Sequence, residues 1–313
     1  MPVLAGKEIT LNGLGLMRFT LRTGESLPQE EIFKVLKAAL AAGVNVWNAA
    51  DFYGTPENNS LHLMNRYFTA NPEDADKVVL CIKTGLLNLA PVKMDCSAAG
   101  LRGFLDNALR ILDGKKNIDI LGCARIDPAI PVEESVRALA QFREEGLIGG
   151  IQLTEVGPDT IRRAVAVTKI DMVEAEISLW ATDVFQNGVV EVCAEHDIVL
   201  EAHTPLGAGM LTGKIKRLDD LPENDHHQVE KLAKEKGWTT PRLALSWIKT
   251  KSKLPGMPVI VPIPGARSVE RLLENSQDIL LASIELEAID TVLKQFPVAG
   301  ARFPPAAQAF NEY

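Results

Sequence analysis

Tyr53 and Lys83 are the residues whose types and placing allow chemistry. Tyr53 lies just past a short apolar run that begins after Gly43, where an amphipathic stretch closes. A second apolar run, Val78-Val79-Leu80-Cys81-Ile82, leads straight into Lys83-Thr84-Gly85. As successive strands of a parallel barrel, both runs would end on one face, where phenol and ammonium can meet. The ammonium would then draw the phenol's pKa down from about 10 toward neutrality. Such a pair protonates a carbonyl oxygen while a hydride reaches its carbon. The two residue types are equally compatible with a Tyr and a Lys standing apart at separate strand ends.

The elements that must position them are legible as eight short apolar runs, at residues 13–17, 44–48, 78–83, 118–124, 149–153, 172–176, 198–203 and 259–262. Continuous apolar runs of this length suit parallel strands buried on both faces. Helical spacing lies between most of them, as in Ile32, Val35, Leu36, Ala39 and Leu40. Pro131-Val132-Glu133-Glu134 and Gly157-Pro158-Asp159-Thr160 place proline and acid where helix N-termini favour them. Eight strand–helix repeats over about 250 residues predict a (β/α)8 barrel as one domain over residues 1–313. Residues 3–9 read as a hairpin closing the barrel bottom. The competing doubly wound sheet would want Gly-x-Gly-x-x-Gly after an early strand, and the chain has none.

Composition narrows the function classes. The 313 residues are 46% apolar and 24% charged, with a net charge of −8, which argues against nucleic-acid or anionic-membrane partners. No apolar run approaches the length of a membrane span, and the N-terminus lacks signal-peptide regions. Cys81, Cys96, Cys123 and Cys193 are scattered, so reduced thiols and a cytoplasmic location are expected. The five histidines show no metal-ligand spacing, and no metal is expected. A monomer or weak oligomer acting on a small molecule is the expectation.

Four ordered motifs resemble the aldo-keto reductase superfamily. They are Gly43-Val44-Asn45 through Asp51-Phe52-Tyr53-Gly54, then Ile82-Lys83-Thr84, then the segment 204–214 from Thr204-Pro205-Leu206-Gly207, then Ile263-Pro264-Gly265-Ala266-Arg267 with Arg271, Glu274 and Asn275. Within it, Trp47-Asn48 before Phe52-Tyr53-Gly54, and Cys123-Ala124-Arg125-Ile126-Asp127, look like the fungal pyridoxal reductase branch. The resemblance implies a (β/α)8 barrel that uses NADPH to reduce an aldehyde, with pyridoxal to pyridoxine the best single guess. Tyr53 would be the general acid, Lys83 its activator, and Asn48 the residue orienting Lys83. Asn48 stands where the family has aspartate and Ala124 where it has histidine. Lys83 is thus expected to lack a counter-ion, with desolvation lowering its pKa. Asn48→Asp is then expected to change reduction only modestly. Ala124 is expected to leave room for a substituted pyridine, with Arg125 and Trp47 beside it.

The resemblance also implies cofactor contacts. Thr154 and Glu155 would hold the nicotinamide amide. Glu174 stands where glutamine is usual; it is either a partial substitute or a solvated strand-end acid. His203 would stack on nicotinamide or make a plain polar contact. Backbone N–H groups near Leu206, Gly207, Leu211 and Gly213 would meet the pyrophosphate. Arg267 and Arg271, with Ser268 opening a helix, suit a 2′-phosphate. The connection 215–226 is short compared with similar chains, which implies a loosely clamped cofactor. Two alternatives stay open: a broad aldehyde or ketone reductase, and a nicotinamide-binding regulatory subunit with little turnover.

Overall fold

A computed structural model describes residues 1–21, 27–89, 91–212, 225–295, 302 and 310–312. Its eight-stranded parallel sheet comprises β1 (Gly13–Gly15), β2 (Val46–Ala50), β3 (Val79–Thr84), β4 (Ile118–Cys123), β5 (Ile148–Thr154), β6 (Met172–Glu176), β7 (Val199–His203) and β8 (Ile260–Pro262), hydrogen-bonded in that sequence. Each of the eight strands falls within two residues of a run read from the sequence. Between β8 and β1 the sheet closes through Gly15 N–H, which donates to Pro264 O at 3.3 Å. Gly13 permits this closure, since a Cβ there would lie 2.6 Å from Ile263 Cγ2.

The pleat sorts side chains into two populations. Val46, Val79, Cys81, Ile120, Met172, Val199 and Val261 point inward and form one apolar cluster with Leu4 and Ile9. Leu4 and Ile9 belong to the N-terminal hairpin segment, Val3–Leu4 paired antiparallel with Lys7–Glu8, which plugs the barrel bottom as expected. Outward residues such as Trp47, Leu80, Leu121 and Val173 join the larger core beneath the helices.

This alternation overturns one expectation. Asn48 points inward, so its neighbour Trp47 must point outward and cannot line a substrate pocket. The Trp47 ring is wholly buried, packs near Tyr67 and Phe68 of helix Ser60–Ala70, and its indole N–H donates to Val44 O at 2.9 Å.

Above the apolar plug the barrel interior turns polar. Asn48, Lys83, Gln152, Glu174 and Glu201 each lie on an inward position and are each at most 3% exposed. Gly122 makes the space: a Cβ would lie 2.1 Å from Gln152 O and 2.8 Å from Gln152 Cβ. Backbone cannot yield to that overlap without moving β5. Gly122→Ala is therefore expected to destabilise the fold by about 1–3 kcal/mol, the usual cost of overpacking. A lowered urea midpoint with unchanged slope would show it; an unchanged midpoint would mean that β4 and β5 separate freely.

Candidate active site

Tyr53 is held by a loop tied at both ends. At the strand side, Asp51 N–H donates to Lys83 O (3.2 Å) and Thr84 Oγ1 donates to Asp51 Oδ2 (2.5 Å). At the helix side, Asn59 caps Ser60–Ala70 by accepting from Leu61 and His62 N–H, and its amide donates back to Asp51 O at 2.6 Å. Ser60 Oγ donates to Ala50 O (2.7 Å), and Ser60 N–H to Tyr53 O (3.0 Å). The result sets the Lys83 ammonium 5.2 Å from the centre of the Tyr53 ring.

Lys83 donates to Asn48 Oδ1 at 2.5 Å and to both oxygens of Glu174, at 2.8 and 3.0 Å. The Asn48 amide donates in turn to Glu174 Oε2 (3.0 Å) and Glu201 Oε2 (2.7 Å). Gln152 Nε2 adds a bond to Glu174 Oε2 at 2.6 Å. Lys83 therefore has a counter-ion, contrary to the expectation drawn from Asn48. Burial acts to lower the Lys83 pKa, but the Glu174 carboxylate beside it outweighs burial and holds the ammonium above its ordinary value. Glu174 is neither solvated nor free for a nicotinamide amide; at 3% exposure its carboxylate is engaged by Lys83. Burial would raise its pKa, yet Lys83 and His203 hold it down.

The phenol also departs from expectation. Tyr53 sits above its ordinary pKa, because burial is the largest influence and Glu174 opposes the downward pull of Lys83. The phenol thus keeps its proton throughout the neutral range.

These groups border a cavity of about 980 Å³. Tyr53, Lys83, Asn48, Glu174, Arg125 and His203 line one part, while Leu206, Arg267, Arg271, Asn275 and Arg18 line the rest. Gly207 and Leu211 are buried and do not border it. Gly207 has φ 54°, and a Cβ there would lie 2.6 Å from the Trp180 ring, so the turn requires glycine. Gly213 and the connection 213–224 lie outside the described residues. Arg271 donates to Glu274 at 2.5 Å, and Thr239 Oγ1 also donates to Glu274, which therefore steadies the arginine from behind the cavity wall. Ser268 Oγ accepts from Arg271 N–H at 3.2 Å, so this cap belongs to its own helix, Val269–Asn275. Ala124 is buried and does not border the cavity, which removes the expected pyridine space beside it.

Thr154 and Glu155 also stay behind the wall. Thr154 Oγ1 accepts from Gln152 at 3.2 Å. Glu155, wholly buried at φ 57°, accepts from Arg302 Nη2 (2.6 Å), lies 2.6 Å from His203 Nε2, and receives Glu176 N–H at 2.7 Å. Its carboxylate is therefore committed to protein partners and not to an amide ligand. His203 Nδ1 lies 2.9 Å from Thr204 Oγ1, so both ring nitrogens have partners. Asn311 accepts from Arg125 Nε (2.8 Å), and Glu312 accepts from Gly157 N–H (2.6 Å) and Thr160 (2.7 Å). Gln152, Glu201, Arg18, Arg302 and Asn311 escaped the sequence reading. For the first two the signal was present: each shares inward parity with a residue already singled out, Thr154 and His203.

A family model described as the aldo/keto reductase family matches residues 13–294. The chain is 34% identical to a probable pyridoxal reductase 2 of Schizosaccharomyces pombe, over 97% of each chain. It is 30% identical to a putative pyridoxal reductase of Saccharomyces cerevisiae, over 94% of this chain and 96% of the other. Among solved structures, a glycerol dehydrogenase of Gluconobacter oxydans superposes with TM-score 0.76 at 21% identity, covering 94% of this chain and 95% of that one. A thermostable aldo-keto reductase bound to epalrestat gives 0.73 at 24%, covering 92% and 96%. The two structural likenesses bear on the fold alone.

Glu155 sets a testable pH dependence. Burial pushes its pKa up, but His203 and Arg302 hold it at about 2, below its ordinary 4.5. A depressed carboxyl stabilises the fold above its unfolded pKa and loses that contribution as pH falls toward the folded value. That difference corresponds to about 3 kcal/mol. Glu155→Gln should therefore lower unfolding stability at pH 7 by about this amount, with the gap to wild type narrowing as pH falls below 4.5. A gap constant from pH 7 to pH 3, measured by denaturant unfolding, would show that the carboxylate charge is not what matters.

Proposed function

Since the chain belongs to the aldo/keto reductase family, we propose that it reduces an aldehyde to an alcohol with NADPH, and that the aldehyde is pyridoxal. The carrying observation is the Lys83 ammonium beside the Tyr53 ring at the wall of one large cavity. Family members generally use a nicotinamide dinucleotide, and the cavity suits one. Its volume of about 980 Å³ stands at the top of the range for small-ligand sites, roughly 300–1,000 Å³. Arg267 and Arg271 border it where a 2′-phosphate would be held, and Asn275 lies beside them. The turn from Thr204 to Gly209, with positive φ at Thr204, Gly207, Ala208 and Gly209, borders the cavity at Leu206, Ala208 and Gly209, while the N–H groups of Gly207, Gly209 and Leu211 donate to Thr204 O and Leu206 O and are not left for a pyrophosphate. His203 borders the same cavity beside Glu174 and takes the nicotinamide end.

Bound NADPH supplies the hydride. Tyr53 donates its proton to the carbonyl oxygen, so the aldehyde gains one hydride and one proton and leaves as the alcohol. A phenol that stays protonated at neutral pH is ready to donate without prior titration. The Lys83 ammonium stabilises both the developing oxyanion and the phenolate left behind. Arg125 borders the cavity and its charge bears on Tyr53, while its guanidinium donates to Asn311 Oδ1 and Ala124 O. Support for pyridoxal comes from the two relatives named as pyridoxal reductases. A cytoplasmic site of action belongs to the same reading and is supported by four free, buried cysteines. No helix among the described residues is long and apolar enough to cross a membrane.

NADPH oxidation followed optically, with pyridoxal and a panel of simple aldehydes, tests the reading. Pyridoxal is expected to give the highest kcat/KM; a simple aldehyde preferred over it would redirect the assignment to a general reductase. Tyr53→Phe should lower kcat by about 10² to 10⁴-fold with NADPH affinity nearly intact. Retention of more than roughly a tenth of the rate would remove Tyr53 as proton donor.

The phosphate arginines give a separate prediction. Arg267→Ala and Arg271→Ala should each weaken NADPH by about ten-fold or more while sparing NADH, since a charge-assisted hydrogen bond contributes roughly 1.5–3 kcal/mol. Fluorescence titration with both cofactors checks this; equal losses would assign the arginines to the fold.

A further inference from the structure

Asn48, Lys83, Glu174 and Glu201 lie on β2, β3, β6 and β7, yet form one hydrogen-bonded group inside the barrel. The group holds one cation and two acids, all at most 3% exposed. Glu174 has the contacts of an ion: Oε2 accepts from Lys83, Asn48 and Gln152, and Oε1 accepts from Lys83. Glu201 does not. Its Oε2 accepts one bond from the Asn48 amide, which bridges it to Glu174 Oε2, and its Oε1 has no partner among the described residues. Two ionised carboxylates side by side against a single buried ammonium would leave one negative charge uncompensated.

We propose that Glu174 and Glu201 share one proton and together serve as the counter-ion that positions Lys83 beside Tyr53, a role carried out from across the barrel. Glu174 holds the charge, and Glu201, as the neutral acid, donates to it and fixes its orientation. Burial and the neighbouring Glu174 charge both push Glu201 well above the ordinary carboxyl range. The other titratable groups facing this cluster are Tyr53, Cys81 and His203; burial keeps the Cys81 thiol protonated.

The proposal explains why position 48 carries an amide. Lys83 is a pure donor, so the Asn48 oxygen must face it, leaving the NH₂ to bridge two carboxyls. Aspartate could accept from Lys83 but would set a third acid oxygen against Glu174 and Glu201, at separations of 2.7–3.0 Å. Asn48 and Glu174 are thus a matched pair whose charges can be exchanged only together. The modest effect expected earlier for Asn48→Asp gives way to a severe one.

The kinetic arms rest on the reductase reading; the others do not. Glu174→Gln should lower kcat by about ten-fold or more and move the basic limb of the pH profile downward, because Glu201, which reaches Lys83 only through Asn48, then opposes burial from a distance. Asn48→Asp in the same chain restores one carboxylate to one ammonium. The double variant should recover most of the lost rate and return the limb upward, whereas Asn48→Asp alone should not match it. Acetic anhydride labelling read by mass spectrometry follows the ammonium without turnover: Lys83 should label faster at pH 8 in Glu174→Gln and slowly again in the double variant. Infrared spectra at pH 8 should show a protonated-carboxyl band in wild type that disappears in Glu201→Gln. Absence of that band in wild type overturns the shared proton. Unchanged labelling and pH limb in Glu174→Gln, or a double variant no better than Glu174→Gln, overturns the counter-ion role. A wild type without turnover but with the band and the labelling pattern would reject the reductase reading and leave this one standing.

Discussion

A lysine ammonium buried inside the barrel, above its apolar plug, is the constraint on which the upper half of this protein is built. Left alone, that charge would cost more than the fold can supply, and breaking such a pair from one side typically costs roughly 3–5 kcal/mol. Lys83 is tolerated because Glu174 and Asn48 meet it within 3.0 Å, and because Gln152 and Glu201 in turn hold Glu174 and Asn48. Each contributor sits one or two pleat steps above the hydrophobic plug, so the dry lower barrel and the charged upper barrel are halves of one alternating pattern.

Much of this was written in the sequence, but unevenly. Strand positions were legible because buried parallel strands are unbroken apolar runs, and the hairpin because Leu4 and Ile9 flank a turn. Tyr53 and Lys83 were legible because each follows such a run directly. The misplacing of Trp47 was avoidable, since choosing Asn48 as inward commits its neighbour to the outside. The counter-ion was not legible. Asn48 advertises a missing charge locally, whereas the compensating Glu174 lies 91 residues from Lys83 and reaches it only once the barrel is closed. Glu155 was misassigned for a related reason: its backbone is left-handed and its partner Arg302 lies 147 residues away.

Two charged centres therefore stand at the barrel mouth, with His203 between them. Its ring nitrogens meet Glu155 and Thr204, and it borders the same cavity as Glu174. One centre faces the cavity through Lys83 and Tyr53. The other, Glu155 with Arg302, faces the protein, and Glu155 O also accepts from Glu312 N–H at 3.4 Å. A residue with positive φ at the second centre is consistent with strain being held where many bonds converge.

The sequence distance of these contacts has a kinetic meaning. Gly15 meets Pro264 to close the barrel, and Arg125 meets Asn311 across 186 residues. Contacts of such span repay loop-closure entropy only after most of the chain has already been ordered. Local helices and adjacent strand pairs can assemble early, but the seam between β1 and β8 and the bracing of Arg125 belong to the final stages. During biosynthesis the plug thus stays incomplete and the rim unsealed until β8 brings in Val261, and the interval before sealing is when this chain exposes most strand edge to its neighbours.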